Sequence, residues 1–119
     1  EALIWKGEAN RLIGHHAGAL KDLSAAIRFS QNPWAFFNRA LVLARLKNYE
    51  GMRRDFRRIP HIIVAYIKAK RGLGARRELS VGEMRDVLES GLQLAQGYRR
   101  DECQAVWMTR PLTDSSLRG

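Results

Sequence analysis

The sequence predicts an all-α fold of about six or seven helices that pack as antiparallel pairs. Three observations support this prediction. Apolar residues recur at helical spacing along most of the chain, and helix-start signals stand at Asn32-Pro33 and between Ser80 and Glu83. A pattern of small and large residues also returns after 33 residues. With 119 residues and 45% apolar content, the chain is long enough for one domain with one core.

The first two predicted helices make the first pair. Leu3, Gly7 and Leu12 recur at helical spacing over residues 2–13, and Gly14 then interrupts the pattern. Residues 16–29 continue with an apolar stripe at spacing i, i+3, i+4 and i+7. The tight turn between the two helices predicts an antiparallel hairpin.

The second pair has clearer boundaries. Asn32 can accept an orphan backbone N–H as an N-cap, and Pro33 suits the first helical position because it has no N–H to satisfy. We expect the third helix to run from Pro33 to about Leu46. Asn48 can cap a fourth helix, which ends or kinks at Pro60. The side chains expected to point inward from these two helices are Phe36, Ala40, Leu43, Leu46, Met52, Phe56 and Ile59.

The two pairs are related by the 33-residue shift. Gly7, Ala19, Leu23 and Ala26 return as Ala40, Met52, Phe56 and Ile59. This pattern resembles the tetratricopeptide repeat (TPR), a helix pair of about 34 residues with a characteristic order of small and large side chains. Lys6 and Arg39 depart from the family pattern, which has leucine at those places. The resemblance covers residues 1–59 and divides them into a first repeat (1–31) and a second repeat (32–59).

The chain after the second repeat is less regular. A fifth helix is expected from His61 to Gly74, although the apolar run 62–67 would also suit a strand. Ser80 and Glu83 form a capping box, which starts a sixth helix that reaches about Gln96. Tyr98, Cys103, Val106 and Trp107 can either extend this helix or form a seventh.

The TPR resemblance implies a single domain over residues 1–108, stacked as a short right-handed superhelix. Because stacked repeats generally need about three units, residues 60–108 are expected to supply a divergent third unit and a capping helix. Pro111 is expected to stop regular structure, which leaves 109–119 as a flexible tail.

The net charge of +9 is concentrated in the middle of the chain. Between Arg45 and Arg77 there are eleven basic residues against two acidic ones. This asymmetry points to an acidic partner surface, nucleic acid or an anionic membrane, with a solvated helix face as the plainer alternative. The predicted basic patch consists of Arg53, Arg54, Arg57, Arg58, Lys68, Lys70, Arg71, Arg76 and Arg77.

Nucleic acid is the main alternative partner for the basic patch. Neutralisation of phosphates by these side chains would give salt-sensitive binding that is largely independent of base sequence. We expect no aromatic stacking platform for bases within the patch, and the chain has no known nucleic-acid motif. A membrane surface is a weaker alternative, which rests on the apolar stretch from Ile62 with its basic end at Arg71.

The TPR resemblance also implies a concave groove lined by the first helix of each repeat. Carried over residue by residue, the predicted partner groove consists of Ile4, Glu8, Arg11, Trp34, Phe37, Asn38, Leu41 and Arg45. Aromatic anchors beside an asparagine would suit a peptide segment, although Trp34 and Phe37 would equally suit core packing. Asn38 matches one asparagine of the clamp with which some TPR domains hold a chaperone's terminal carboxylate. Ile4 and Glu8 replace the lysine and asparagine of that clamp, so we do not expect it here.

The sequence contains no catalytic or metal-binding constellation. His15 and His16 are adjacent and do not share one helical face, and Cys103, as the single cysteine, excludes an intrachain disulfide and a cysteine-rich zinc site. There is no glycine-rich phosphate loop and no serine elbow. We therefore expect neither enzymatic activity nor a bound cofactor or metal.

These observations predict a non-catalytic protein–protein interaction module, such as an adaptor, a co-chaperone or an assembly factor. It would bind a partner segment in the groove and an acidic partner on its basic surface; the alternative is a nucleic-acid-binding helical repeat that uses residues 45–77. The single cysteine, which allows no intrachain disulfide, favours a reducing intracellular location, and we expect the cytoplasm. Because Glu1 already lies within an amphipathic helical pattern, we expect this chain to be a domain of a longer protein. No feature of the sequence specifies an oligomeric state.

Overall fold

A computed structural model describes residues 2–74 and 78–113 of the chain, and the side chains of these residues up to Gly97. The described residues form six α-helices and no strand, which confirms the all-α prediction. The apolar run 62–67 is helical, so the strand alternative for it is wrong. The helices are α1 (Ala2–Leu12), α2 (His16–Phe29), α3 (Pro33–Arg45), α4 (Tyr49–Arg57), α5 (His61–Lys70) and α6 (Val81–Thr113).

The pair α1–α2 closes around a glycine. A Cβ atom built on Gly7 would lie 2.6 Å from Cγ of Leu23, whose side chain is fully buried, so the two helices approach closely only because this position has no side chain. Asn10 Nδ2 donates a hydrogen bond to Asp22 Oδ2 at 3.0 Å and joins the helices a second time. The turn between the helices contains Gly14 at φ +82°, a conformation that glycine adopts without strain.

The local signals for the starts of α3 and α4 are confirmed. Asn32 Oδ1 accepts the backbone N–H of Trp34 at 2.9 Å, and Asn48 Oδ1 accepts that of Gly51 at 3.0 Å. Satisfied N-caps of this kind typically stabilise a helix by about 1 kcal/mol. The helix α3 ends at Arg45, and Leu46 is 47% exposed, so the prediction that Leu46 points inward is wrong. The chain turns at Lys47, which has φ 63°, and this turn carries Leu46 away from the core.

The central element is α3, which packs against α1, α2, α4 and α6. Its buried residues belong to two apolar clusters. Ala35 and Val42 pack with Ile4, Leu23 and Ala26 of the first pair. The second cluster joins α3 to the later helices and contains Phe36, Phe37, Ala40, Leu41, Met52, Ile59, Val64, Ile67, Val87, Leu88 and Leu92.

The last two helices differ from the prediction. The helix α5 ends at Lys70, ahead of Gly72 and Gly74, which both have positive φ. The capping box is confirmed, since Ser80 N–H donates to Glu83 Oε1 at 2.9 Å and Glu83 N–H donates to Ser80 Oγ at 3.2 Å. The helix α6 then continues without a break past Gln96 to Thr113, so residues 98–107 extend it.

The helix α6 also contains Pro111, which was expected to stop regular structure; that expectation is wrong. Pro111 lies in the last turn of α6, and the helix ends two residues later at Thr113. The side chains of Cys103 and Trp107 lie outside those described, and so do residues 114–119 of the expected tail.

Among the described residues, α5 and α6 cover the second pair only in part, since Phe56 of α4 stays partly exposed. The helix α6 packs along α3, and α5 packs against α6. Among the described residues, neither α5 nor α6 packs closely along α4. None of the helices in the described part of the chain has the length and apolar character that crossing a membrane requires.

Candidate partner-binding surfaces

The predicted partner groove is largely filled by the chain's own helix α6. Phe37 is 0% exposed and Leu41 5%, and both belong to the cluster that includes Val87 and Leu88 of α6. A Cβ atom built on Gly91 of α6 would lie 2.3 Å from Cε2 of Phe37, which shows how closely α6 lies on α3. A partner segment cannot reach Phe37 or Leu41 while α6 holds this position.

The polar residues of the predicted groove are engaged with one another. Asn38 is 1% exposed; its Oδ1 accepts a hydrogen bond from Arg11 Nε at 2.8 Å, and its Nδ2 donates to the carbonyl of Trp34 at 2.9 Å. Gln96 Nε2 of α6 donates to Glu8 Oε2 at 2.8 Å. Both ends of the Asn38 amide are therefore used inside the chain, in contrast to the predicted role in holding a peptide backbone.

Arg11 lies at the junction of α1, α3 and α6. Its Nη2 lies 4.0 Å from Glu8 Oε2, in addition to the hydrogen bond to Asn38. Burial lowers the pKa of Arg11, while the carboxylates of Glu8 and Glu89 act in the opposite direction. Because an arginine stays charged at physiological pH, Arg11 keeps its ion pair with Glu8 inside α1, while its hydrogen bond to Asn38 joins α1 to α3.

The remaining predicted groove residues are divided between packing and exposure. Ile4 is buried in the first-pair cluster, and Trp34 is partly buried, with its ring centroid 4.9 Å from that of Phe37. The core-packing alternative therefore describes Phe37, and in part Trp34. Arg45 is exposed at the end of α3. The eight residues do not form one accessible surface.

Arg39 is a structural residue of the second pair. Its Nε and Nη2 donate to the two carboxylate oxygens of Asp55, both at 2.8 Å, and Nη1 donates to Ser24 Oγ at 3.2 Å. The hydrogen bond to Asp55 raises the pKa of Arg39. This one side chain ties α3 to both α2 and α4, which explains an arginine where the repeat family has leucine.

The structure separates the predicted basic patch into engaged and open members. Arg58 Nη2 donates to Gln31 Oε1 at 2.7 Å, and its guanidinium lies 5.3 Å from the centroid of the Phe36 ring. Lys70 lies over Tyr66, and Arg71 Nη2 is 3.8 Å from Asp86 Oδ2. Arg54 and Arg57 are exposed on α4, and Arg53 is partly buried. Arg76 and Arg77 lie outside the described residues.

A cleft of about 800 Å³ lies between α4, α5 and the start of α6, and we call it the basic cleft. Its apolar lining comes from Phe56, Ile59, Val64, Leu79 and Met84. Its polar lining comes from Arg53, Arg57, His61, Lys68 and Glu78. The cleft therefore combines an apolar floor with a lining that is predominantly basic.

Only parts of the basic cleft were predictable from the sequence. Arg53, Arg57 and Lys68 were predicted as patch residues, whereas Phe56 and Ile59 were predicted to point inward. The contributions of Val64, Leu79 and Met84 were missed, because they depend on where α5 and α6 lie relative to α4. One feature of the sequence could have indicated the cleft. Phe56 is a large apolar residue at the position that corresponds to Leu23, and no regular third repeat follows that would cover it.

A metal site would require several ligating side chains close together in the described part of the chain. No group of three or more histidine, cysteine, aspartate or glutamate side chains within that part of the chain could hold a metal ion. His16 Nδ1 is buried without a hydrogen-bond partner, while the neighbouring His15 is exposed. The two imidazole rings therefore lie in different surroundings.

Comparison with known proteins adds no family assignment. No protein-family model, curated protein or solved structure matches this chain. Its relation to tetratricopeptide repeats rests on the residues quoted above.

Proposed function

We propose that this chain is a non-catalytic protein–protein interaction module of the tetratricopeptide type, an adaptor or assembly factor that binds an acidic segment of a partner protein. Two consecutive helical pairs with equivalent residues at a 33-residue shift support the repeat assignment. The contacts of Gly7 with Leu23 and of Arg39 with Asp55 provide both pairs with a tight internal packing. A rigid helical frame of this kind serves recognition by presenting a fixed surface.

The observation that carries the proposal is the basic cleft. Arg53, Arg57 and Lys68 line the same cleft as the apolar side chains of Phe56 and Val64. Cations at the edge of an apolar floor favour a ligand that carries carboxylates beside apolar anchors, since the anchors supply affinity while the charges supply specificity and a faster encounter. An acidic protein segment has this combination.

The basic cleft is the primary contact surface in this proposal, and the concave groove is secondary. A partner in the groove would have to displace α6, which buries Phe37 and Leu41 and donates a hydrogen bond from Gln96 to Glu8. Within the part of the chain that the structure describes, no helix has to move for a partner to enter the basic cleft. We place the molecule inside the cell, in the cytoplasm, and assign it no cofactor.

A nucleic-acid-binding function is the second candidate. It is favoured by the exposure of Arg54 and Arg57 along α4, where both guanidinium groups can reach solvent and neutralise phosphates. Against it, Phe56, the aromatic residue beside these arginines, is partly buried and packs against the apolar core, whereas base stacking requires a well-exposed ring.

Fluorescence anisotropy with two labelled probes separates the two functions. One probe is a peptide that contains glutamate and leucine, and the other is a single-stranded RNA of mixed sequence. We expect the 119-residue chain to bind the peptide, and we expect Arg53→Glu/Arg57→Glu to weaken that binding by about tenfold. The matched control Lys21→Glu/Arg28→Glu makes the same charge change at exposed positions of α2 and should alter binding less than about twofold.

The salt dependence provides the second criterion. RNA binding that falls steeply with salt, and that is lost in Arg53→Glu/Arg57→Glu, would favour the nucleic-acid function. If neither probe binds at low salt, both functions of the basic surface are excluded.

A further inference from the structure

We infer that the partner segment in the basic cleft is an amphipathic α-helix with carboxylates beside its apolar stripe, which docks on α4 as α3 docks on α2. The inference rests on the proposed function and names the class of partner for the same site. It follows from comparing the two pairs at equivalent positions.

The packing of α3 on α2 shows how a helix covers the second helix of a pair. Ala35 and Val42 of α3 are fully buried against Leu23 and the cluster around it. Beside this apolar contact, Arg39 Nη1 donates to Ser24 Oγ at 3.2 Å. The interface thus consists of an apolar stripe with a polar contact at its edge.

On α4 the equivalent surface is only partly covered. Phe56 corresponds to Leu23 and is partly buried rather than fully buried. Neither α5 nor α6 packs closely along α4 among the described residues, and the basic cleft opens beside it. A helix docked in this cleft would cover Phe56 in the way that α3 covers Leu23.

The polar edge of the same surface specifies the charge of the docked helix. Ser24, which accepts a hydrogen bond from Arg39, corresponds to Arg57 on α4. Arg53 stands one helical turn before Arg57, and both line the cleft. Ser24 accepts a hydrogen bond from α3, whereas Arg57 at the equivalent position can only donate one. The residue of the docked helix that faces Arg57 must therefore be an acceptor, and the carboxylate of glutamate or aspartate makes the stronger, charge-assisted hydrogen bond.

The side of the cleft formed by α5 favours acidic residues on the other flank of the docked helix as well. His61 and Lys68 of α5 line the cleft together with Val64. A helix between α4 and α5 therefore meets Arg53 and Arg57 on one side of its apolar stripe and Lys68 on the other. Glu78 is the carboxylate among the described lining residues, and it favours a neutral or basic residue of the partner nearby.

The cleft volume agrees with such an occupant. About 800 Å³ is near the upper end of the volumes of small-ligand pockets. It can take several side chains from one face of a helix, which supply anchors at spacing i, i+3 or i+4, and i+7.

Three synthetic peptides of about 15 residues, a length at which an isolated helix is marginally stable, test the inference against the full chain. The first has a leucine stripe flanked by glutamates. The second has the same composition in an order that breaks the stripe, and the third keeps the stripe but replaces glutamate by glutamine. We expect the first to bind about tenfold more tightly than the other two and to gain helicity on binding.

The binding site is identified by amide chemical shifts of the isotopically labelled chain. We expect the first peptide to shift residues 53–64 and to leave Phe37 and Leu41 unchanged. The variant Arg53→Glu/Arg57→Glu should no longer bind the first peptide. It should instead bind a fourth peptide, in which lysine replaces each glutamate of the first. This exchange of charges keeps the test valid, because recovered binding shows that the variant is folded.

The outcomes separate the inference from the proposed function. Equal binding of the first and second peptides, both weakened by Arg53→Glu/Arg57→Glu, would overturn the docked helix and leave the acidic-segment function intact. Shifts centred on Phe37 and Leu41 would overturn the site, because the peptide would then replace α6. RNA binding without peptide binding, or no peptide binding at all, would overturn both.

Discussion

The first pair, α1–α2, and the second pair, α3–α4, repeat one pattern but differ in what covers them. Leu23 of the first pair is fully buried because α3 lies over α2, whereas its counterpart Phe56 remains partly exposed to the basic cleft. The same position therefore serves as core in one pair and as a contact surface in the other. Whether a residue at this repeated position is buried therefore depends on how the helix after its pair packs.

The two pairs also differ in how their buried carboxylates are held. Asp22 receives a hydrogen bond from the neutral amide of Asn10 at 3.0 Å. Its counterpart Asp55, 2% exposed, receives two hydrogen bonds from Arg39 at 2.8 Å. Charge-assisted bidentate hydrogen bonds are stronger than neutral ones. The second pair thus has the tighter internal connection, although it has the more open outer face.

Removing the hydrogen-bond donor of each buried carboxylate gives the largest expected difference in stability between the pairs. Arg39→Ala leaves Asp55 as a buried charge without its partner and should lower the free energy of unfolding by about 3 kcal/mol, at the low end for a broken buried pair because the Arg39 side chain is 24% exposed. Asn10→Ala removes one hydrogen bond and should cost about 1 kcal/mol. Urea denaturation followed by circular dichroism measures both.

Equal losses in Arg39→Ala and Asn10→Ala would contradict the view that the second pair is held more tightly. Arg28→Ala serves as the control for loss of an exposed arginine, and its effect should stay within about 0.5 kcal/mol.

The next effect concerns the close approach of the helices in the first pair. Gly7→Ala places a methyl group 2.6 Å from Cγ of the fully buried Leu23, so it should destabilise the chain by about 1–3 kcal/mol, reduced by the better helix propensity of alanine. Gly82→Ala is the matched control, because the nearest atom to its Cβ would be Ser80 Oγ at 3.9 Å. It should be neutral or stabilising by up to about 1 kcal/mol.

Thermal denaturation of Gly7→Ala and Gly82→Ala gives the comparison directly. A melting temperature for Gly7→Ala at or above that of the wild type would mean that α1 and α2 have room to separate. The equivalent position of the second pair already holds Ala40, which is fully buried, so the second pair accommodates the methyl group that the first excludes.

Local signals in the sequence predicted where helices begin. The caps at Asn32, at Asn48 and at Ser80 with Glu83 depend on residues at most three positions apart, and all three form the predicted hydrogen bonds. The ends were less predictable. The helix α6 continues through Pro111 to Thr113, although proline lacks the N–H that a continuing helix uses.

Contacts between distant elements were not predictable from one sequence. The TPR resemblance predicts Phe37 and Asn38 as groove residues. Their burial depends on Gly91, more than fifty residues later, because a residue without a side chain at this position lets α6 lie on α3. Periodicity predicted that α6 exists without indicating which helix it would cover. The basic cleft escaped prediction for the same reason, since its two walls come from α4 and α5.

A smaller effect is expected where α6 meets the first pair. Gln96→Ala removes the hydrogen bond to Glu8 and should cost about 1 kcal/mol. Because α6 is held on the second pair by the apolar contact of Gly91 with Phe37, the loss should appear as local opening. Hydrogen exchange should be faster at residues 93–97 and unchanged at Leu88. Uniformly faster exchange along α6 would mean that its two contacts form one cooperative unit.

The smallest expected effect on stability compares Lys21 with Arg54, which occupy equivalent exposed positions of the two pairs. Neither Lys21→Glu nor Arg54→Glu should change the free energy of unfolding by more than about 0.5 kcal/mol. Their effects on binding of the glutamate–leucine peptide should differ, because Arg54 adjoins Arg53 of the basic cleft and Lys21 lies on the covered first pair. We expect about a threefold loss for Arg54→Glu, diminishing as salt is raised, and no change for Lys21→Glu. Equal losses in the two variants would show that the peptide responds to net charge, and the location of the arginines on the second pair would then have no part in recognition.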